Sequence, residues 1–258
     1  MHPGSRIPDE VRAYALPAEE NPFAELSASA LLEDVGKGRR GATLTRVDEA
    51  GGVPLVRTTT RYAGPAQRFR AVHERLARRI QDRAGIPVGF NNALIETYTN
   101  AYATMGAHSD QALDLADGSF IAVFSCYRHP EAGPPRKLLV EAKEPGGEEF
   151  GLPLAHNSVV TFSVESNRRL KHRIVLESPG RAADNEWLGI TFRTSKTLLR
   201  FSDGQPHLPN GPRLTVADEE QAREFYRLRR RENHEPDFAY PPLTYTVSGS
   251  DLRPPVLR

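Results

Sequence analysis

The chain has 258 residues, 34 basic and 33 acidic side chains and a formal charge of +1. It has no apolar run long enough to span a bilayer and no apolar N-terminal core of the signal type. Its single cysteine, Cys126, permits neither an internal disulfide nor a cysteine zinc cage. The expectation is a soluble cytoplasmic protein, and the near-zero charge argues against broad, charge-driven binding of nucleic acid.

Residues 1–45, with Pro3, Pro8, Pro17 and Pro22, predict an irregular arm. From Pro65 to Arg83 the period is helical, with Phe69, Val72, Leu76 and Ile80 on one face and Gly85 and Pro87 as terminators. His73, on that face, reads as a packing residue. Seven short segments then read as strands: Ala93–Thr99, Tyr102–His108, Ser119–Tyr127, Lys137–Ala142, Ser158–Val164, Leu170–Leu176 and Trp187–Thr194. Turn clusters such as Ala116-Asp117-Gly118 and Glu144-Pro145-Gly146-Gly147 separate them. One helix followed by this many strands predicts a mainly β fold with flanking helices, a sandwich or barrel. Asp218 to Asn233 predicts a charged helix, with Arg229-Arg230-Arg231 as its solvated end, before a Pro-rich tail. The expected organisation is an arm over 1–45, a core over 46–202 and a helical, Pro-rich extension over 203–258 packed on it.

Three stretches carry chemistry. His108 and Asp110 stand two apart, which on a strand places both on one face. His172 comes from a later strand. Two imidazoles and a carboxylate on one face of an octahedron form the facial triad that binds non-haem Fe(II) and leaves three positions open. Alone, the pair reads more readily as a surface histidine with a capping aspartate; its strand context and the later histidine favour the metal. On the last strand Thr191 and Arg193 alternate with Ile190 and Phe192, so Arg193 faces the barrel interior, where a guanidinium needs an anion such as a dicarboxylate cosubstrate.

With Val56-Arg57 to Arg61-Tyr62, the helix, Glu96-Thr97-Tyr98, His108-Ser109-Asp110, His172 and Trp187 to Arg193 in this order, the region from about Pro54 to Lys196 resembles the AlkB-type branch of the 2-oxoglutarate/Fe(II) dioxygenases. The resemblance implies a double-stranded β-helix (jelly roll, cupin-like) core and an enzyme using Fe(II), 2-oxoglutarate and O2. In it His108, Asp110 and His172 hold the metal, while Arg193 and Tyr98 take the cosubstrate. It also implies oxidative decarboxylation to succinate and CO2, with hydroxylation of a C–H bond. The sequence departs from the family pattern at Glu96, where an Asn is usual, at Trp187, where an Arg pairs with the distal carboxylate, and at Gly189, usually Asn. Three explanations stand: an altered pose on Arg193 and Tyr98, a substitute base such as Lys196 or Arg173, or a different cosubstrate. The acidic residue that contacts a flipped base in nucleic-acid demethylases is replaced by Ala112, with Asp114 two positions on. Arg57, Tyr62, Tyr102, Asp114 and Arg128 are candidate substrate contacts, with Arg61 and Tyr127 as further candidates by position. The expected substrate is a small molecule or natural product. Alkylated nucleic acid and a non-catalytic jelly-roll binder are the alternatives, no membrane partner is expected, and the oligomeric state is left open.

Overall fold

The computed structural model describes residues 7–144, 146, 149–177 and 185–257. In chain order the helices are α1 (Ile7–Glu10), α2 (Phe23–Ser27), α3 (Ala71–Ala84), α4 (Val164–Arg169) and α5 (Glu219–Glu232). The first nine strands are β1 (Val11–Ala15), β2 (Glu33–Gly36), β3 (Arg39–Thr45), β4 (Val53–Leu55), β5 (Gln67–Arg68), β6 (Asn92–Thr99), β7 (Phe120–Tyr127), β8 (Lys137–Ala142) and β9 (Phe150–Pro153). The rest are β10 (Ser158–Ser163), β11 (Leu170–Val175), β12 (Glu186–Arg193), β13 (Thr197–Ser202), β14 (Gln205–His207), β15 (Thr215–Val216) and β16 (Tyr245–Thr246).

Two sheets make the jelly roll. The larger runs β1-β10-β7-β12-β6-β3-β2, with β5 joined to β3, and the smaller runs β11-β8-β9. Each face of the large sheet is apolar for a separate reason. On β12, Leu188, Ile190 and Phe192 point to one side and pack with Leu76, Ala77 and Ile80 of α3. Trp187 points to the other side and packs with Tyr98, Val123, Leu138 and Val140 between the two sheets. Strand period and helical period thus meet on one face, while the opposite face closes the barrel.

Several sequence expectations are corrected. Residues 1–6 lie outside the described residues, but the rest of the predicted arm is not irregular. β1 pairs with β10 at one edge of the large sheet, and β3 joins β6 to β2 at the other. The helix begins at Ala71 rather than Pro65, because the backbone before it is committed elsewhere. Arg68 N–H donates to Val256 O at 2.9 Å and Phe69 N–H to Thr45 O at 2.9 Å. Tyr102–His108 is not a strand; it meets β11 only at Thr104 and His108. Met105 and Gly106 between them leave the sheet to line a cavity. In the turn cluster 144–147, Pro145 and Gly147 lie outside the described residues. The Pro-rich tail is tied in by β16, which runs parallel to β15, and by Leu243, Tyr245 and Val247 packed on Phe225 and Leu228 of α5. Asp218 caps α5 by accepting from Gln221 N–H. Cys126 is a buried core thiol. No described helix is long and apolar enough to cross a membrane.

His73 is wholly buried beneath α2 and both its ring nitrogens are used. Nδ1 accepts Arg70 N–H at 3.0 Å. Ser29 gives its hydroxyl proton to Leu26 O, so its oxygen receives Nε2–H at 2.7 Å. Only the neutral ring fits this arrangement, and burial lowers its pKa from 6.5 to about 4. The unfolded chain therefore takes up this proton before the native one. The stability it confers is complete above pH 6.5 and is lost as pH falls towards 4. At about 1.4 kcal/mol per pH unit, the full loss is on the order of 3 kcal/mol. Denaturant unfolding of wild type and His73→Gln should show a gap that narrows between those pH values; parallel curves would sink this account.

Candidate functional site

The two histidines are joined through their backbones. His108 N–H donates to His172 O at 3.0 Å, and His172 N–H donates to His108 O at 2.7 Å. This reciprocal exchange places two side chains on the same face of the pair, and the ring centroids lie 4.8 Å apart. Asp110 follows two residues on. One ligand atom from each of His108, Asp110 and His172 lies within 4.8 Å of the others. His108 Nδ1 bonds Gly106 O at 2.9 Å, which directs Nε2 to the centre.

The electrostatics suit a cation. Burial lowers both imidazoles, His172 to about 3, so both are neutral and carry a free lone pair. Burial alone would raise the Asp110 carboxyl; Arg193, His172 and His108 outweigh it and hold Asp110 well below the usual carboxylate range. Two neutral nitrogens and one anionic oxygen are the donor set of a divalent transition metal.

A cavity of about 640 Å³ opens beside the triad, lined by His108 and Asp110. The structure places the remaining sequence candidates as follows. Arg193 Nε donates to Asp110 Oδ2 at 2.6 Å, so its guanidinium is paired with the carboxylate of the triad. Tyr98 and Glu96 both line the cavity, and the Tyr98 hydroxyl donates to Glu96 Oε2 at 2.8 Å. Tyr102 lines it too, with its ring 4.6 Å from that of Tyr98. Trp187 does not reach the cavity; it packs against Tyr98 and donates from Nε1 to Ser125 Oγ at 2.6 Å. Tyr62 is buried beside Glu96 and Arg39, and does not line the cavity.

Three candidates are engaged elsewhere. Arg57 and Asp114 form a buried pair, with Nη2 to Oδ1 at 2.8 Å, and Arg57 Nη1 also donates to the carbonyls of Leu243 and Tyr245. Arg57 still lines a wall of the cavity, but as part of the structure that ties the C-terminal segment to it. Arg128 lies on the exposed surface against Glu186 and Phe23. The proposed substitute bases, Lys196 and Arg173, pair with Asp117 and Glu149 and do not line the cavity. Tyr127 points away, its hydroxyl donating to Leu154 O.

The basic group beside Glu96 is one that sequence reading missed. Arg39 on β3 approaches Glu96 Oε1 with Nε at 2.9 Å and donates from Nη2 to Thr60 Oγ1 at 2.7 Å. Its position follows from strand register, with Arg39 opposite Tyr98 and Gly41 opposite Glu96. Asn167 was also missed. Its Oδ1 accepts Asp110 N–H at 2.8 Å and its Nδ2 donates to Asp110 O at 2.7 Å.

Glu96 has a glycine beside it on both neighbouring strands, Gly41 and Gly189. Each makes room for an aromatic side chain. A Cβ on Gly41 would meet the Tyr62 hydroxyl at 2.8 Å, and one on Gly189 would meet the Trp187 ring at 2.0 Å. Trp187 and Gly189 are therefore one change, since the indole fills the space that a side chain at 189 would occupy.

The 2OG-Fe(II) oxygenase superfamily matches residues 38–193. Among solved structures, that of OsALKBH1 is similar at a TM-score of 0.48 and 13% identity, covering 72% of this chain and 96% of that one. A Pseudomonas putida prolyl-4-hydroxylase is similar at a TM-score of 0.40 and 12% identity, covering 72% and 92%. No curated protein matches the chain.

The coupling of Trp187 to Gly189 can be measured. Gly189→Ala should destabilise the protein by about 1–3 kcal/mol through overpacking. In a Trp187→Leu background, the same change should cost at least ~1 kcal/mol less. Additive losses in a double-mutant cycle of denaturant unfolding would show that the indole and the glycine are independent.

Proposed function

Because the chain belongs to the 2OG-Fe(II) oxygenase superfamily, we propose that it is an AlkB-like dioxygenase that hydroxylates, or otherwise oxidises, a C–H bond of a small molecule. In this reading His108, Asp110 and His172 hold the iron. The observation that carries it is the buried cluster of their three ligand atoms at the edge of an open cavity. The superfamily uses Fe(II), 2-oxoglutarate and O2, and the donor set here fits the metal.

The residues present also fit a dicarboxylate, though not in the arrangement the sequence resemblance implies. Trp187 stands in the core where that arrangement needs an arginine, and the Tyr98 hydroxyl is committed to Glu96. Two guanidinium groups face the cavity from opposite strands of the same sheet: Arg193, on Asp110, and Arg39, on Glu96. Between them they would hold the cosubstrate, with Arg39 in the role for which the sequence offers Lys196 or Arg173.

When bound, iron and 2-oxoglutarate supply the activation of oxygen. The chain's own contribution is positional. Asn167 fixes the Asp110 peptide, Gly106 O orients the His108 ring, and Arg193 keeps Asp110 ionised. Tyr98 and Tyr102 supply apolar surface against which a substrate can exclude water.

Two placements favour a small molecule over an alkylated base. Asp114 is committed to Arg57 and cannot supply the acidic contact. Tyr127 and Tyr62 are absent from the cavity wall, which removes two of the aromatic faces that could stack on a flipped base.

Anaerobic titration with Fe(II) and then 2-oxoglutarate should give a visible metal-to-ligand charge-transfer band. Asp110→Ala and His172→Ala should abolish it, and Arg39→Gln should raise the 2-oxoglutarate concentration needed by roughly tenfold or more, as expected for losing a charged hydrogen bond. Iron binding without the band would point to another cosubstrate, and an unchanged midpoint in Arg39→Gln would remove Arg39 from that role. Release of formaldehyde from methylated oligonucleotides would replace the small-molecule reading with that of a nucleic-acid demethylase.

A further inference from the structure

The end of α5 lies outside residues 38–193, the part of the chain that matches the superfamily. Its last turn and cap nevertheless reach the backbone that carries the metal carboxylate. Asn233 Oδ1 accepts Ser109 N–H at 3.0 Å. Arg229 Nη2 donates to Ser109 O at 2.9 Å. Glu232 Oε1 accepts Ala112 N–H at 2.8 Å. Asp110 stands between these anchored residues, with its own N–H and C=O held by Asn167.

The anchors are themselves fixed. Glu232 pairs with Arg229 through Oε2 and receives the Tyr240 hydroxyl there at 2.7 Å. Lys143 Nζ donates to Glu232 O at 2.5 Å. Ser109 is wholly buried, so without these partners its peptide groups would have no water to bond instead. The run 109–112 has no strand neighbour along its length, and its only regular structure is the short 3-10 turn that begins at Ala112. The side chains of α5 and Asn167 stand where a sheet ladder would otherwise set its course.

We propose that Arg229, Glu232 and Asn233 form a clamp that positions Asp110 for metal binding, making the C-terminal helix an integral part of the metal centre. This rests on the reading that His108, Asp110 and His172 bind the metal. None of the three is a ligand. They act through the peptide groups on either side of Asp110, as outer partners act on a coordinating side chain elsewhere.

Co(II) is a suitable probe, because its visible d–d bands report both affinity and geometry. Asn233→Ala removes the bond to Ser109 N–H and should weaken Co(II) binding on the order of tenfold, with altered bands. Asn233→Asp, which keeps an acceptor oxygen there, should restore both. Leu228→Ala loosens the same helix through its apolar face and should lower Tm while leaving the Co(II) bands as in wild type. Wild-type affinity and bands in Asn233→Ala, or an equal loss in Leu228→Ala, would overturn the clamp while leaving the metal reading intact. Unweakened binding by Asp110→Ala would overturn the metal reading, and the clamp with it.

Discussion

The site depends on the pair of backbone hydrogen bonds exchanged by His108 and His172. They join the irregular stretch after β6, which belongs to the large sheet, to β11 of the small one. A reciprocal pair fixes both the separation and the facing direction of the two residues. The imidazoles are therefore brought together by peptide geometry. The rest is built outward from that pair. Asp110 enters because it is two residues from His108, Arg193 because it keeps a buried carboxylate ionised, and Asn167 because the Asp110 peptide has no strand partner.

What was legible in the sequence is what is local. The alternation on β12 and six of the seven short strands depend on neighbours within a few residues and appear in the structure, whereas Tyr102–His108 is not a strand and Asp110 lies outside any strand. What was missed depends on long-range pairing. β3 is rich in arginine, glycine and threonine, and nothing in it signals that it lies against β6. Arg39 could be placed beside Glu96 only once that register was known. Asp114 looked available because its partner, Arg57, lies 57 positions earlier. The helix boundary at Ala71 was misplaced for the same reason, since the backbone of Gln67 to Phe69 is engaged by β3 and Val256.

The three departures from the expected cosubstrate pattern, Glu96, Trp187 and Gly189, fall into two couplings. Trp187 needs the vacancy at Gly189, and Glu96 needs Arg39, which lies opposite Tyr98 on the neighbouring strand. The cavity's charges follow the same logic. Arg39, Arg57, Arg193 and Arg229 each face a carboxylate, at Glu96, Asp114, Asp110 and Glu232. A buried guanidinium without such a partner would be costly; Arg230, exposed on α5, adds a further positive charge to the same wall.

The contacts from Arg229, Glu232 and Asn233 have a temporal consequence. A chain grows from its N-terminus, and these residues emerge more than a hundred positions after the Ser109–Ala112 stretch they hold. During synthesis the jelly roll can close and bring the histidines together while the carboxylate between them still lacks its far support. On the proposed clamp, the cluster of His108, Asp110 and His172 is thus completed after the fold that houses it.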